Sequence, residues 1–200
     1  MPWTFFNSSG EAMIIDGGVQ ASAAVFTGKV DLGSNLLVGN AGSTGIAISS
    51  AGEVNMAAQP CVLAYNSADD ANVTGNNTLV TVDFDTEVFD QNADFASDTF
   101  TAPITGRYLV CATVRVKGVT TSIDEMNLRI VASNRTFVNW NGNTHALSAP
   151  NNGASITHIV DMDAADTATI QLQCAGEGSD VNDIDGDAQP YTAVSICLLA

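Results

Sequence analysis

Four aspartates near the C-terminus are the side chains best placed to do chemistry. They stand in the acidic segment 177–187, close enough for a loop to converge their carboxylates on a calcium ion: Asp180, Asp183, Asp185 and Asp187. The segment lacks EF-hand spacing and a late bidentate glutamate. Two interpretations stay open, a solvated acidic loop, which the charge pattern favours, and a calcium site.

Histidine chemistry receives no support from the sequence. His145 and His158 are the only histidines, and neither lies in a nucleophile motif or a metal-binding motif. His158 falls in the alternating segment 155–162, where a strand would direct a polar side chain outward. No glycine loop leads into a helix that could cradle phosphate. We therefore predict a protein that is not an enzyme and has no catalytic residues.

Trp140 is the remaining candidate contact for a ligand. It lies in the asparagine-rich segment Val138–Asn143, where a turn could present the indole to a sugar ring. A tryptophan in the core or in an interface between subunits explains the same residue equally well.

The four cysteines are widely spaced and form no C-x-x-C pair. Three of them lie inside apolar, strand-like segments, so we expect buried free thiols rather than a disulfide framework or a zinc site. They are Cys61, Cys111, Cys174 and Cys197. The N-terminal residues carry no basic group before their apolar side chains and no apolar run long enough for a signal or a membrane span, which indicates synthesis in a cytoplasm.

The charge balance excludes one class of partner. Asp and Glu number 22 against 6 Lys and Arg, and the formal net charge is -16. Phosphate contacts need clustered basic residues, so nucleic acid is not expected as a partner, and no membrane insertion is expected either. The acidic residues concentrate after residue 60, where they keep the surface solvated.

The elements that must position these residues are β-strands. Apolar residues alternate with polar ones in short runs bounded by Gly, Asn, Asp and Pro, and helical spacing is almost absent, which predicts an all-β chain. The predicted strands are Tyr108–Val116, Leu79–Phe84, Met126–Ser133, Ala168–Cys174 and Tyr191–Leu199. The last is almost wholly apolar or small, as in a central strand covered on both faces.

Residues 1–60 differ in composition from residues 61–200. They are rich in Gly, Ala and Ser, and two glycine-led alternating segments resemble each other, Gly28–Leu32 and Gly52–Met56. Such a chain cannot bury enough apolar surface alone, so we predict a stalk or attachment arm whose strands pair around a threefold axis. A flexible linker is the alternative. The boundary is expected near Gln59–Pro60, where proline interrupts strand pairing.

From Cys61 onward the sequence resembles the globular head of complement subcomponent q and the tumour necrosis factor superfamily, a head that phages also use. The resemblance rests on aromatic residues and a turn: Phe84, Phe95, Phe100, Pro103, Gly106 and Tyr108, with Tyr191 in the closing strand. It implies a ten-stranded jelly-roll β-sandwich that assembles as a trimer, presents loops to a partner and has no enzymatic activity. Related heads can bind calcium near the trimer axis.

The N-terminal segment Trp3–Glu11 resembles the start of tail-fibre and head-decoration proteins of tailed phages. Trp3, Phe5 and Phe6 lie too near a terminus to enter the head core and are expected to form an interface. The combined prediction is a virion surface protein, a trimeric capsid decoration protein or head fibre anchored to capsid or tail proteins by its N-terminus. The alternative is a tail fibre or receptor-binding protein that recognises a host-surface glycan or protein.

Overall fold

The structure, a computed structural model, describes residues 46–49, 51–142 and 151–200. Within these ranges every regular element is a strand, so the all-β prediction is confirmed. The strands are β1 Ala47–Ile48, β2 Val54–Asn55, β3 Cys61–Tyr65, β4 Asp70–Thr74, β5 Leu79–Thr81, β6 Thr86–Asp90, β7 Phe95–Ala96, β8 Thr99–Thr101, β9 Gly106–Lys117, β10 Glu125–Ala132, β11 Thr136–Gly142, β12 Asn151–Met162, β13 Thr167–Ala175, β14 Asn182–Ile184 and β15 Ala193–Leu198.

Two antiparallel sheets build the sandwich, and β1 pairs with β2 in a separate hairpin. The front sheet has the order β11-β10-β13-β8-β7, with β5 also paired to β13. The back sheet has the order β4-β14-β9-β15-β3-β6, and β12 pairs along the full length of β9 on its other edge. Strand β9 pairs with three strands, β12, β14 and β15, and therefore holds the back sheet together.

The core lies between the sheets and follows the alternation of the sequence. In β9 the buried residues are Tyr108, Val110, Ala112, Val114 and Val116, and the residues between them are more exposed. Strands β10 and β13 alternate in the same way. Because successive side chains of a strand point to opposite faces, one face of each sheet closes over the other and buries this apolar surface.

Aromatic residues of the predicted signature pack within this core. Phe84 meets Phe95 edge to face with ring centroids 6.4 Å apart, and Phe100 meets Tyr108 at 5.4 Å. The Tyr108 hydroxyl donates a hydrogen bond to the carbonyl of Ile104 at 2.7 Å, which satisfies its polar end without opening the core. Burial raises the pKa of Tyr108.

Two residues of the signature, Gly106 and Tyr191, play different parts from those predicted. Pro103 is exposed in the bend before β9, where the turn was predicted. Gly106 is the first residue of β9, and a Cβ there would lie 2.6 Å from Leu198 Cδ1 and 2.7 Å from the Ala200 carbonyl oxygen. The absence of a side chain at Gly106 therefore leaves room for the C-terminal residues, and Gly106 does not form a turn. Tyr191 lies outside the core, 38% exposed, because it precedes β15.

The prediction of four free cysteines was wrong for one pair. Cys61 and Cys197 are register partners on β3 and β15, and their sulfur atoms are bonded at 2.11 Å. The two residues are 136 positions apart, so strand register, which the sequence does not display, brings them together. Cys111 and Cys174 are free, and burial raises the pKa of the Cys174 thiol to about 12.

Strand bounds deviate modestly from the predictions. The segment predicted to continue to Phe84 forms regular strand only over β5, although Val82 N still bonds to the Ile170 carbonyl. Strand β15 is central, between β9 and β3, but only Val194 and Ile196 are buried, so one of its faces is not fully covered. No helix in the described ranges is long and apolar enough to cross a membrane.

Candidate binding and assembly surfaces

The aspartates of the predicted calcium site point to different partners. Three of them accept hydrogen bonds in separate places: Asp180 from Asn76 N and the Thr78 hydroxyl, Asp183 from Asn72 N, and Asp187 from Gln189 N. These bonds lower the pKa of Asp180. Among the residues that the structure describes, no three His, Cys, Asp or Glu side chains are grouped to hold a metal ion. Calcium at Asp180, Asp183, Asp185 and Asp187 stays a prediction.

Asp185 is buried in an ion-pair network. Its carboxylate lies 3.0 Å from Arg115 Nε and 2.6 Å from Lys117 Nζ, and Lys117 also contacts Asp69 at 2.7 Å. Hydrogen bonding to both carboxylates raises the pKa of Lys117, and the contact with Lys117 is the main reason that the pKa of Asp69 is lowered. Arg115 also lies 4.2 Å from the centroid of the Tyr191 ring. The network fastens the end of β9 to two loops.

A second acidic cluster was missed in the sequence. Asp83 is influenced by Asp98, Asp70 and Asp85, and burial, followed by the charge of Asp98, raises its pKa to about 6. The Asp98 carboxylate accepts a hydrogen bond from Phe84 N at 2.8 Å. The alternation of Asp83 and Asp85 was a visible signal, but Asp70 comes from the start of β4 and Asp98 from the turn between β7 and β8.

The outer face of the back sheet is apolar and incompletely covered. Leu109 stands between Ile159 on β12 and Cys197 on β15, and Leu63 is paired with Phe89 on β6. Ile159 is 57% and Phe89 43% exposed. Register partners project from the same face, and these apolar side chains lie in two neighbouring rows, one through Ile159 and Leu109 and the other through Leu63 and Phe89, which together we call the back-sheet band. Exposed apolar surfaces of this kind mark interaction sites.

The outer face of the front sheet carries Trp140 beside polar groups. Trp140 lies in β11, not in a turn or in the core, and its side chain is 66% exposed. Its indole N–H donates to Glu125 Oε2 at 2.9 Å, and Asn127 Nδ2 donates to Glu125 Oε1 at 3.1 Å. This is the one sequence-predicted ligand contact that the structure leaves open to a large partner.

His158 is exposed, as the sequence predicted, although it has the parity of the buried residues Ile156 and Val160 in β12. Its ring stacks on Phe137 with centroids 4.5 Å apart. Phe137 belongs to β11, so the stack lies where the edge strands of the two sheets meet. His145 and the N-terminal aromatics Trp3, Phe5 and Phe6 lie outside the described residues.

A shallow cavity of about 400 Å³ opens beside Gly153 and Tyr191. The other described residues of its lining are Thr113, Val114, Arg115, Asn151 and Asn152. None of these described residues carries a carboxylate, a thiol or an imidazole, and together they offer polar and stacking contacts.

No protein-family model and no curated protein matches the sequence. Among solved structures, PRD1 vertex protein P5 is 15% identical, with 80% of this chain and 84% of that chain covered and a TM-score of 0.52. The globular domain of zebrafish complement 1qA is 13% identical, covers 71% of this chain and 98% of its own, and has a TM-score of 0.47. Murine APRIL is 13% identical, with coverages of 70% and 99% and a TM-score of 0.48. The chain thus has the jelly-roll β-sandwich fold that it shares with PRD1 vertex protein P5.

Proposed function

We propose that this chain is a structural, non-enzymatic surface protein of a phage virion, made in the host cytoplasm and displayed on the particle. The observation that carries the proposal is the fold shared with PRD1 vertex protein P5 over most of both chains. In this proposal residues 1–60 form the attachment arm and residues 61–200 the displayed head. A fold can serve many functions, so the surfaces of the head must supply the rest of the argument.

The head is proposed to assemble as a homotrimer through the back-sheet band. Leu63, Phe89, Leu109 and Ile159 would leave water on assembly, and burial of apolar area contributes roughly 25 cal/mol per Å². A chain of net charge -16 repels its copies at long range, so association needs a contact of this apolar kind. A closed ring of three copies covers the band on every copy.

Attachment is proposed to use Trp3, Phe5 and Phe6 against a capsid protein. Aromatic residues of this size dominate the binding energy of many interfaces. A capsid position as a decoration protein or head fibre is preferred to a tail fibre because the solved structure that shares the fold is that of a vertex protein.

Immunogold electron microscopy of intact particles tests this proposal, with antibodies raised against residues 61–200. Labels spread over the capsid are expected. Labels confined to the tail would contradict the capsid position, and particles that carry no label would contradict the virion role. Particles that lack the protein are the control for antibody specificity.

A second candidate function is recognition of a host-surface glycan or protein by the displayed head. The observation that favours it is the exposed Trp140 on the front sheet. Adsorption of particles to host cells should then fall when Trp140 is replaced by alanine. Unchanged adsorption, with normal occupancy of the particle, would remove this candidate.

A further inference from the structure

We propose that the outer face of the front sheet, centred on Trp140, binds an uncharged carbohydrate whose pyranose ring lies against the indole. The inference deepens the recognition role of the head and rests on that second candidate function. Its ligand is identified by chemistry: an apolar ring face bordered by hydroxyl groups.

The first argument is that Trp140 is held in place before any ligand arrives. It projects from a strand rather than from a loop, and its indole N–H is bonded to the Glu125 carboxylate, which is bonded in turn to the Asn127 amide. Ordering a side chain on binding costs free energy, so a ring that is already fixed binds with less loss. Despite these bonds the side chain remains 66% exposed.

The second argument is the polar border of the ring. Trp140 is the register partner of Asn127, and Asn127 is the partner of Gln173 on β13, so the three side chains form one row on the same face. Arg129 lies in the neighbouring row, between Val138 and Gln171, and donates a hydrogen bond to Gln173 Oε1, while Gln173 Nε2 donates to Asn77. Amides, a carboxylate and a guanidinium together can donate to and accept from sugar hydroxyls.

Part of this polar border has unused hydrogen-bonding capacity. Asn127 Oδ1 and Arg129 Nε are buried and have no hydrogen-bond partner within the described part of the chain. Buried polar atoms are normally paired, and an unpaired one costs free energy; because both atoms are shielded from solvent, a ligand reaches them only if the side chains that cover them shift. Both atoms belong to the two rows that adjoin the indole.

The third argument decides between kinds of partner. A largely apolar protein surface placed here would remove water from Glu125, Asn127 and Gln173. It would offer no hydrogen bonds in place of those to water. An anionic polymer would be repelled by the net charge of -16. A cationic peptide would be repelled locally by the Arg129 guanidinium. An uncharged sugar uses the aromatic face and the polar border together, whereas the back-sheet band has no comparable border.

The test uses full-length protein carrying Trp3→Phe, in which Trp140 is the only remaining tryptophan. Its fluorescence is titrated with glucose, galactose, mannose and N-acetylglucosamine, and with maltohexaose, cellohexaose and chitohexaose. At least one sugar should change the emission in a saturable way. Calorimetry on wild-type background should then show that Trp140→Ala weakens binding at least tenfold, that Trp140→Phe retains part of it, and that Gln173→Ala weakens it several-fold.

The matched control is Tyr191→Ala, which removes an exposed aromatic ring from the segment before β15, away from the front sheet, and should leave sugar affinity unchanged. Absence of any saturable change with all seven sugars overturns the proposal. So does an affinity that survives Trp140→Ala, or saturation by hexalysine peptide in place of sugars. Because the assay uses isolated protein, its failure leaves the virion role untouched, and unlabelled particles would leave a positive sugar result standing.

Discussion

Asp185 illustrates how single residues hold this head together. Its carboxylate is almost fully buried and pairs with both Arg115 and Lys117, so its loss removes a buried anion from two cations, of which Lys117 keeps Asp69. Removing one partner of a buried ion pair is strongly destabilising. We expect Asp185→Ala to lower the free energy of unfolding by about 3 kcal/mol.

Urea denaturation followed by circular dichroism measures this loss. The control is Asp161→Ala, because the Arg135–Asp161 pair has side chains 53% and 58% exposed and should contribute no more than about 0.5 kcal/mol. Equal losses in the two variants would show that burial of Asp185 contributes nothing.

The acidic cluster around Asp83 predicts a dependence of stability on pH. The pKa of Asp83 is raised to about 6 from its usual 3.8, so the folded state binds a proton more readily than the unfolded chain. Stability should therefore rise as pH falls from about 7 to about 5. Asp83 is partly exposed, so we discount the effect to about 1 kcal/mol.

Thermal melting at pH 7 and pH 5 measures this dependence. Asp83→Asn should raise stability at pH 7 and flatten the profile, because it removes the repelled charge. Asp85→Asn is the control with the opposite sign, since hydrogen bonds from Ser67 lower the pKa of Asp85 and favour its charged form. A wild-type profile that falls between pH 7 and pH 5 would contradict the prediction.

At this scale the sequence predicted residue types better than their roles. Trp140 and the four C-terminal aspartates were recognisable, but only the register of β10, β11 and β13 shows that Trp140 adjoins Asn127 and Gln173. The exposure of His158 was predicted, but its stack on Phe137 depends on the edge position of β12, which the sequence does not show. The cluster of Asp83 and Asp98 depends on loops that the sequence does not bring together.

At the scale of elements, β9 shows what alternation alone determines. Its predicted core, Tyr108–Val116, lies within the observed Gly106–Lys117, and strands β10 and β13 were predicted almost to their ends. Alternation of buried and exposed residues along a strand depends only on neighbouring residues, so it can be recognised in a short stretch of sequence. Strand pairing is not local, and for that reason the Cys61–Cys197 bond was missed.

The start of β9 yields a prediction about the C-terminus. Gly106→Ala would place a methyl group against Leu198 and the Ala200 carbonyl, and the chain must move to admit it. We expect a loss of about 1–3 kcal/mol, as for overpacking in a core. Gly178→Ala is the matched control, because nothing lies within 4 Å of its added Cβ. Chemical denaturation of both variants tests this, and a neutral Gly106→Ala would refute the close-approach explanation.

At the scale of the whole molecule, the two outer faces predict opposite responses to a charge. Ile159→Glu places a carboxylate in the back-sheet band and should convert the proposed trimer to monomers, because the charge opposes burial of the band. Val138→Glu is the matched control, a similarly exposed β-branched residue on the front sheet, and should leave the trimer intact. Sedimentation velocity measures both. Trimers in Ile159→Glu at micromolar concentration would exclude the band as the interface.

The junction between arm and head makes a second whole-molecule prediction. The Gln59 side chain donates to the Leu198 carbonyl at 2.7 Å, Leu198 N donates to the Pro60 carbonyl at 3.0 Å, and Asn92 Nδ2 donates to the Ala58 carbonyl at 3.0 Å. Deletion of residues 1–56 keeps these bonds, whereas deletion of residues 1–60 removes them. Both truncated heads should fold. The head that lacks residues 1–60 should have a free energy of unfolding about 1–3 kcal/mol lower than the head that lacks residues 1–56.

Attachment to the particle should be lost in both truncations, although the heads fold. The head buries its own apolar strands, so its core does not depend on the arm, whereas the aromatic side chains proposed to bind the capsid lie in the deleted segment. Replacing Trp3, Phe5 and Phe6 together by alanine should reproduce the loss while thermal melting of the head stays nearly unchanged. Co-sedimentation with particles that lack the native copy measures occupancy, with Ile159→Glu included to separate attachment from trimer formation. Occupancy at the wild-type level by either truncation or by the triple-alanine protein would refute the N-terminal anchor.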